Sequence, residues 1–136
     1  TGTGDLAKCD APTIKGDKGP LGKTMWIRGT YKGGDGFNAT PASRKFAYKG
    51  NNIYQVVVEE KKASAFAFKF AAADWSSEFA VKKSKAVIIG QEQDIMTASG
   101  YGTESPIKIP EAGTYVYSFK VDKGLHKGTM MVSKCK

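Results

Sequence analysis

The chain has 136 residues, 40% of them hydrophobic and 11% aromatic, which suits a single core and excludes both a disordered tail and a pair of full domains. Its apolar runs are short, as in "AVII" at 86–89, whereas a bilayer span takes about 20 apolar residues, so no membrane insertion is expected. The net charge of +8 favours anionic partners, yet the lysines are scattered, and the one dense run, "KKSK" at 82–85, reads equally well as a solvated strand end.

Residues 1–22, rich in Gly, Pro, Asp and Lys, read as a loose lead-in to one domain over 23–136. No hydrophobic leader precedes "TGTGDLAKCD". The expectation is an exported chain whose signal peptide has been removed, the alternative being a chain that is not exported. Within the lead-in, "GDKGPLGKT" at 16–24 fails as a phosphate loop: five residues separate Gly16 from Gly22, Asp17 stands at the required glycine, and a strand pattern follows where a helix is needed.

From there the dominant period is two. The segments "KTMWIRGTY" (23–31), "RKFAY" (44–48), "NIYQVVVEE" (52–60), "AFAFKF" (65–70), "WSSEFAVKK" (75–83), "KAVIIG" (85–90), "SPIKI" (105–109), "TYVYSFKVD" (114–122) and "GTMMVSK" (128–134) are predicted strands. In "AFAFKF", Phe66, Phe68 and Phe70 share one face and Lys69 takes the other; Tyr115, Tyr117, Phe119 and Val121 likewise share a face. Turn signals such as "YKGNN", "ASGYG" and "PEAG" separate many of them, and no helical stripe with caps interrupts the series. Roughly seven to nine short strands at this spacing describe an all-β antiparallel sandwich or barrel.

The chemistry-bearing residues are few. Cys9 and Cys135 sit near the two ends. They suggest a disulfide that would stabilise the fold by roughly 4 to 5 kcal/mol in an oxidising compartment, the alternative being two free thiols. With His126 the only histidine, no zinc site of Cys and His is available, and neither a metal nor another cofactor is expected. Asp74 and Glu78 share a face only on a regular strand without a bulge, and a carboxylate pair alone is weak support for glycosidase chemistry, so no catalytic residue is assigned.

Trp26 and Trp75 fit binding better, because a sugar ring offers a flat C–H face to an aromatic plane while Lys, Asp and Glu bind its hydroxyls. In a continuous strand Trp75 would join Phe79 in the core, whereas the "AAAD" before it suggests a turn that would bring it to a rim. Lys69, opposite the phenylalanines, reads either as a solvated residue or as a ligand contact. Trp26 shares a face with Arg28.

"MWIRGTYKGGDGF", "YKGNNIYQVVVE", "FKFAAADWSSEF" and "IPEAGTYVYSFKV", in this order over roughly 23–134, resemble starch-binding carbohydrate-binding modules of pullulanase-type and related alpha-glucan enzymes such as amylases. The resemblance implies an immunoglobulin-like antiparallel β-sandwich that binds alpha-1,4-linked glucan without cleaving it. It also implies a site lined by Lys69 and Trp75, with Asp74, Ser76 and Glu78 as polar neighbours. Where members of the family often carry a tryptophan in the loop after the first strand, this chain offers Phe37, with Trp26 in reserve. The terminal cysteines are not a general mark of the family.

The expected protein is therefore a monomeric starch-, glycogen- or pullulan-binding module, secreted or extracytoplasmic and tethered to a catalytic domain in a parent chain. The alternative is an extracytoplasmic interaction or adhesion domain that binds an anionic surface or polymer, with nucleic-acid binding a third and weaker reading.

Overall fold

The computed structural model describes residues 19, 21–30, 44–50, 52–72, 75–81, 85–97, 104–122 and 126–134. Among them are nine strands: β1 (Met25–Gly29), β2 (Ala47–Tyr48), β3 (Ile53–Glu60), β4 (Ser64–Ala72), β5 (Glu78–Val81), β6 (Gln93–Thr97), β7 (Ser105–Ile109), β8 (Gly113–Val121) and β9 (Lys127–Lys134). Every pairing is antiparallel, in the order β1-β4-β5-β6-β9-β8-β3-β2, with β7 on β4. One layer is built on β4 with β1, β5 and β7, the other on β2, β3, β8 and β9, and β6 carries the ladder between them. The expected immunoglobulin-like all-β sandwich is what forms. No helix among the described residues is long and apolar enough to cross a membrane.

Alternation writes the core. Phe66, Phe68 and Phe70 of β4 face Tyr115, Tyr117 and Phe119 of β8, all buried. Phe119 is the hub, with its ring centroid 4.7 Å from Phe70, 4.9 Å from Phe46 and 5.0 Å from Tyr54. Offset and edge-on aromatic pairs of this kind add roughly 0.5–1.5 kcal/mol each beyond the area they bury. Gly29 closes β1 for a steric reason: a Cβ there would run into the carbonyl of Ala67 and the backbone of Phe68, so only glycine lets β1 lie this close to β4.

At the end of β3, buried polar groups pair with one another. Glu60, 8% exposed at the end of β3, meets Arg44 at 3.4 Å and accepts a hydrogen bond from the Tyr117 hydroxyl at 3.3 Å. Burial, reinforced by the Glu60 charge, pushes the Tyr117 phenol well above its ordinary pKa. The end of the lead-in is anchored as well, since the Leu21 amide donates to the Tyr54 hydroxyl at 3.0 Å and Leu21 packs on the core.

Two predicted strands need correction. "KAVIIG" at 85–90 forms no ladder: Val87 is buried, but Ile88 is 51% exposed and Gly90 turns at φ +88°. The Gln93 side chain locks this bend, accepting from the Ile88 amide at 2.8 Å and donating to the Ala86 carbonyl at 2.9 Å. The strand at this place is instead β6, "QDIMT", whose single inward residue is Ile95. The second correction is "WSSEFAVKK", which becomes a strand only at Glu78, because Trp75 adopts the left-handed φ of +64° and ends any continuous pleat. Cys9 and Cys135, like Phe37 and Asp74, lie outside the described residues.

Candidate functional site

On β1, Met25 and Ile27 point into the core, which sends Trp26 and Arg28 to the outer face. On β4 the phenylalanines point in, which sends Lys69 and Ala71 out. The register places Arg28 opposite Lys69 and Trp26 opposite Ala71, and Ala71 faces Glu78 across β5. Pairing two distant segments therefore gathers two cations, an indole and a carboxylate on one outer sheet face.

Two cations directly opposite each other repel, so each needs its own compensation. Lys69 finds it in Glu78, with Nζ to Oε1 at 2.9 Å and side chains only 6% and 11% exposed. Arg28, 3% exposed, donates from a guanidinium nitrogen to the Ala72 carbonyl at 3.0 Å and lies under the Trp75 ring, 3.7 Å from its centroid. A cation held over an indole and shielded from water is stabilised by about 2 kcal/mol. Lys69 Nζ lies further off, 6.0 Å from the same ring.

The β4–β5 turn presents Trp75. Its amide donates to the Ala72 carbonyl at 3.2 Å and the Ala72 amide donates to the Ser77 carbonyl at 3.0 Å, so one residue anchors the turn, the indole and the guanidinium. A non-glycine residue at φ +64° costs of order 1–3 kcal/mol, and it persists because these contacts over-determine it. Trp75 is half-buried: neither the core residue of a continuous strand nor a freely exposed platform. Beside it the half-buried Lys23 donates from its ammonium to the hydroxyl of the exposed Ser76 at 2.8 Å.

Of the residues expected at a site, Lys69, Glu78 and Trp75 are brought together, and Trp26 joins them on the same face. Trp26 is half-buried and its Nε1 is buried without a hydrogen-bond partner. Lys69 is not solvated, as one reading of the alternation had it, because Glu78 and the Trp75 turn cover it. Arg28 is the residue that sequence reasoning missed as part of the site. Its signal was present in "MWIRG", where alternation puts it outward beside Trp26, but its partner across the sheet was not. Among the described residues no group of three or more His, Cys, Asp and Glu could hold a metal ion.

A solved structure described as the ligand-induced structure of AmyP-SBD, a starch-binding domain, matches this chain at 36% identity with a TM-score of 0.65. The match covers 98% of this chain and 85% of that one. The chain belongs to the starch-binding carbohydrate-binding modules. No protein-family model matches the module, and no curated protein does. The outer face around Trp75 is where the module's aromatic and polar side chains converge.

Proposed function

We propose that the module binds alpha-1,4-linked glucan of the starch, glycogen or pullulan type without cleaving it, and that Trp75 is the stacking platform. The observation that carries this reading is the Trp75 indole, set at the sheet surface in a strained turn with one ring face taken by Arg28 at 3.7 Å. The other ring face is then the one to meet the C–H face of a glucose unit. Glu78 and Lys69 spend their charges on each other, which suits support of the platform better than acid–base work. Asp74 and Phe37, by the family resemblance, and Trp26, by its place on the same face, complete the proposed sugar-contacting set.

We assign the module to a secreted amylolytic enzyme, whose tethered catalytic domain would meet substrate at a raised effective concentration, so modest affinity suffices. The net charge of +8 favours a second reading, binding to an anionic surface or polymer. Against it, Arg28 and Lys69 at this face are buried and already engaged, so they offer little to a polyanion.

Affinity electrophoresis and calorimetry against amylose, pullulan, cellulose and heparin test both. Wild type should retain amylose and pullulan with little dependence on salt, and Trp75→Ala should lose about 1 to 2 kcal/mol, roughly five- to thirtyfold in affinity. A folded protein that ignores alpha-glucans and binds heparin with a steep salt slope would support the second reading instead.

A further inference from the structure

We propose that the glucan-binding face continues past Trp75 across β5 and β6 to a groove at the start of β9, where Met96, Lys127 and Asp122 take further sugar units of the same chain. The inference rests on the proposed glucan site and extends it. The registers carry one continuous outer surface that turns from one layer to the other at β6: Arg28 faces Lys69, β5 is the next strand, Ala80 faces Met96 and Met96 faces Lys127. Asp122 flanks Lys127 on β9, its amide donating to the Lys127 carbonyl at 2.9 Å. Measured along that surface, with strands about 4.8 Å apart, Met96 stands roughly 10 Å from Lys69 and Lys127 roughly 15 Å, a path that suits an oligosaccharide wrapping across the strands.

A groove of about 580 Å³ opens at that end of the face, lined among others by Asp94, Met96, Asp122, His126 and Lys127. Met96 is 40% exposed, an apolar side chain left uncovered on an outer face. A flexible thioether of this kind can lie against the C–H face of a sugar much as it fits irregular apolar surfaces elsewhere. The Asp122 Oδ1 is buried and has no hydrogen-bond partner, an acceptor that a sugar hydroxyl would satisfy. Two carboxylates against one ammonium disfavour a polyanion, and the mixture of donors, acceptors and apolar surface fits a neutral polyhydroxylated chain. Continuity with the Trp75 face names the occupant: the far end of the same alpha-glucan.

The test is calorimetry with maltotriose and maltoheptaose on the intact module. Wild type should bind the longer chain roughly fivefold more tightly, and Met96→Ala/Lys127→Ala should remove about that gain while leaving maltotriose unchanged within twofold. Both positions are exposed, so the variant should fold; Met96→Trp, which enlarges the stacking surface at the same place, should raise affinity for maltoheptaose alone. Equal wild-type affinity for the two chains overturns the extension, and so does a double variant that keeps the full gain. In either case Trp75-dependent binding of maltotriose survives and the primary site stands. If wild type binds neither sugar, the primary site and its extension fall together.

Discussion

The Arg28–Trp75 stack makes a sharp prediction because it separates holding a platform from touching a ligand. Replacing Arg28 by Met keeps the length of the side chain and removes the guanidinium, and with it both the contact 3.7 Å from the indole centroid and the donor to the Ala72 carbonyl. The stack contributes about 2 kcal/mol when desolvated, and the charged hydrogen bond about 1.5–3 kcal/mol, so stability should fall by roughly 3–5 kcal/mol before any relaxation offsets it. More diagnostic is the coupling. In a cycle of Arg28→Met, Trp75→Ala and the double variant, followed by urea denaturation, the pair should show an interaction of about 1–2 kcal/mol. Glucan affinity should fall in Arg28→Met nearly as far as in Trp75→Ala, although Arg28 is buried beneath the ring. A coupling near zero, or a folded Arg28→Met variant with undiminished affinity for amylose, would refute the idea that the guanidinium sets the indole.

The Lys69–Glu78 pair should behave as a buried ion pair: Lys69→Met alone, which strands Glu78, should cost about 3–5 kcal/mol, whereas Lys69→Met combined with Glu78→Leu should recover most of it in chemical denaturation. Tyr117 gives the module an alkaline limit. Burial first and Glu60 second raise its phenol above the ordinary value of about 10, so above that pH the unfolded chain releases a proton that the folded one keeps. Its neutral form therefore supports the fold fully below about pH 10 and less as pH climbs, and melting curves of Tyr117→Phe should show a shallower alkaline decline than wild type.

How far the sequence alone reached depended on the range of the interaction concerned. Period-two patterns are local, so β4, β7, β8 and β9 stood out, and so did the inward set of Phe66, Phe68, Phe70, Tyr115, Tyr117 and Phe119. "KAVIIG" misled because its apolar residues mimic a buried strand, while the bend that a Gln93 side chain imposes on it carries no periodic signal. The reverse held for β6, whose polar "QDIMT" conceals one inward isoleucine. At the site, outward placement of Lys69 was legible and its burial was not, because the groups that cover it come from β5 and the turn before it. Left-handed backbone is expected at Gly, Asn or Asp, so nothing in the sequence marked Trp75 as the residue that breaks the strand.

On the proposed function, the burial of two cations beside the Trp75 indole follows from what binding costs. An indole free to change rotamer must be immobilised when a sugar stacks on it, at a cost of about 0.5–1.5 kcal/mol. Here that ordering occurs during folding. The Ala72 carbonyl receives both the Trp75 amide and the Arg28 guanidinium, one fixing the backbone of the indole and the other the cation beneath its ring. Lys69 and Glu78 then neutralise each other next to Arg28, so the like-charge contact across β1 and β4 does not push the guanidinium away. On the proposed function, the positive charge at this face serves the rigidity of the Trp75 indole rather than the recognition of an anion.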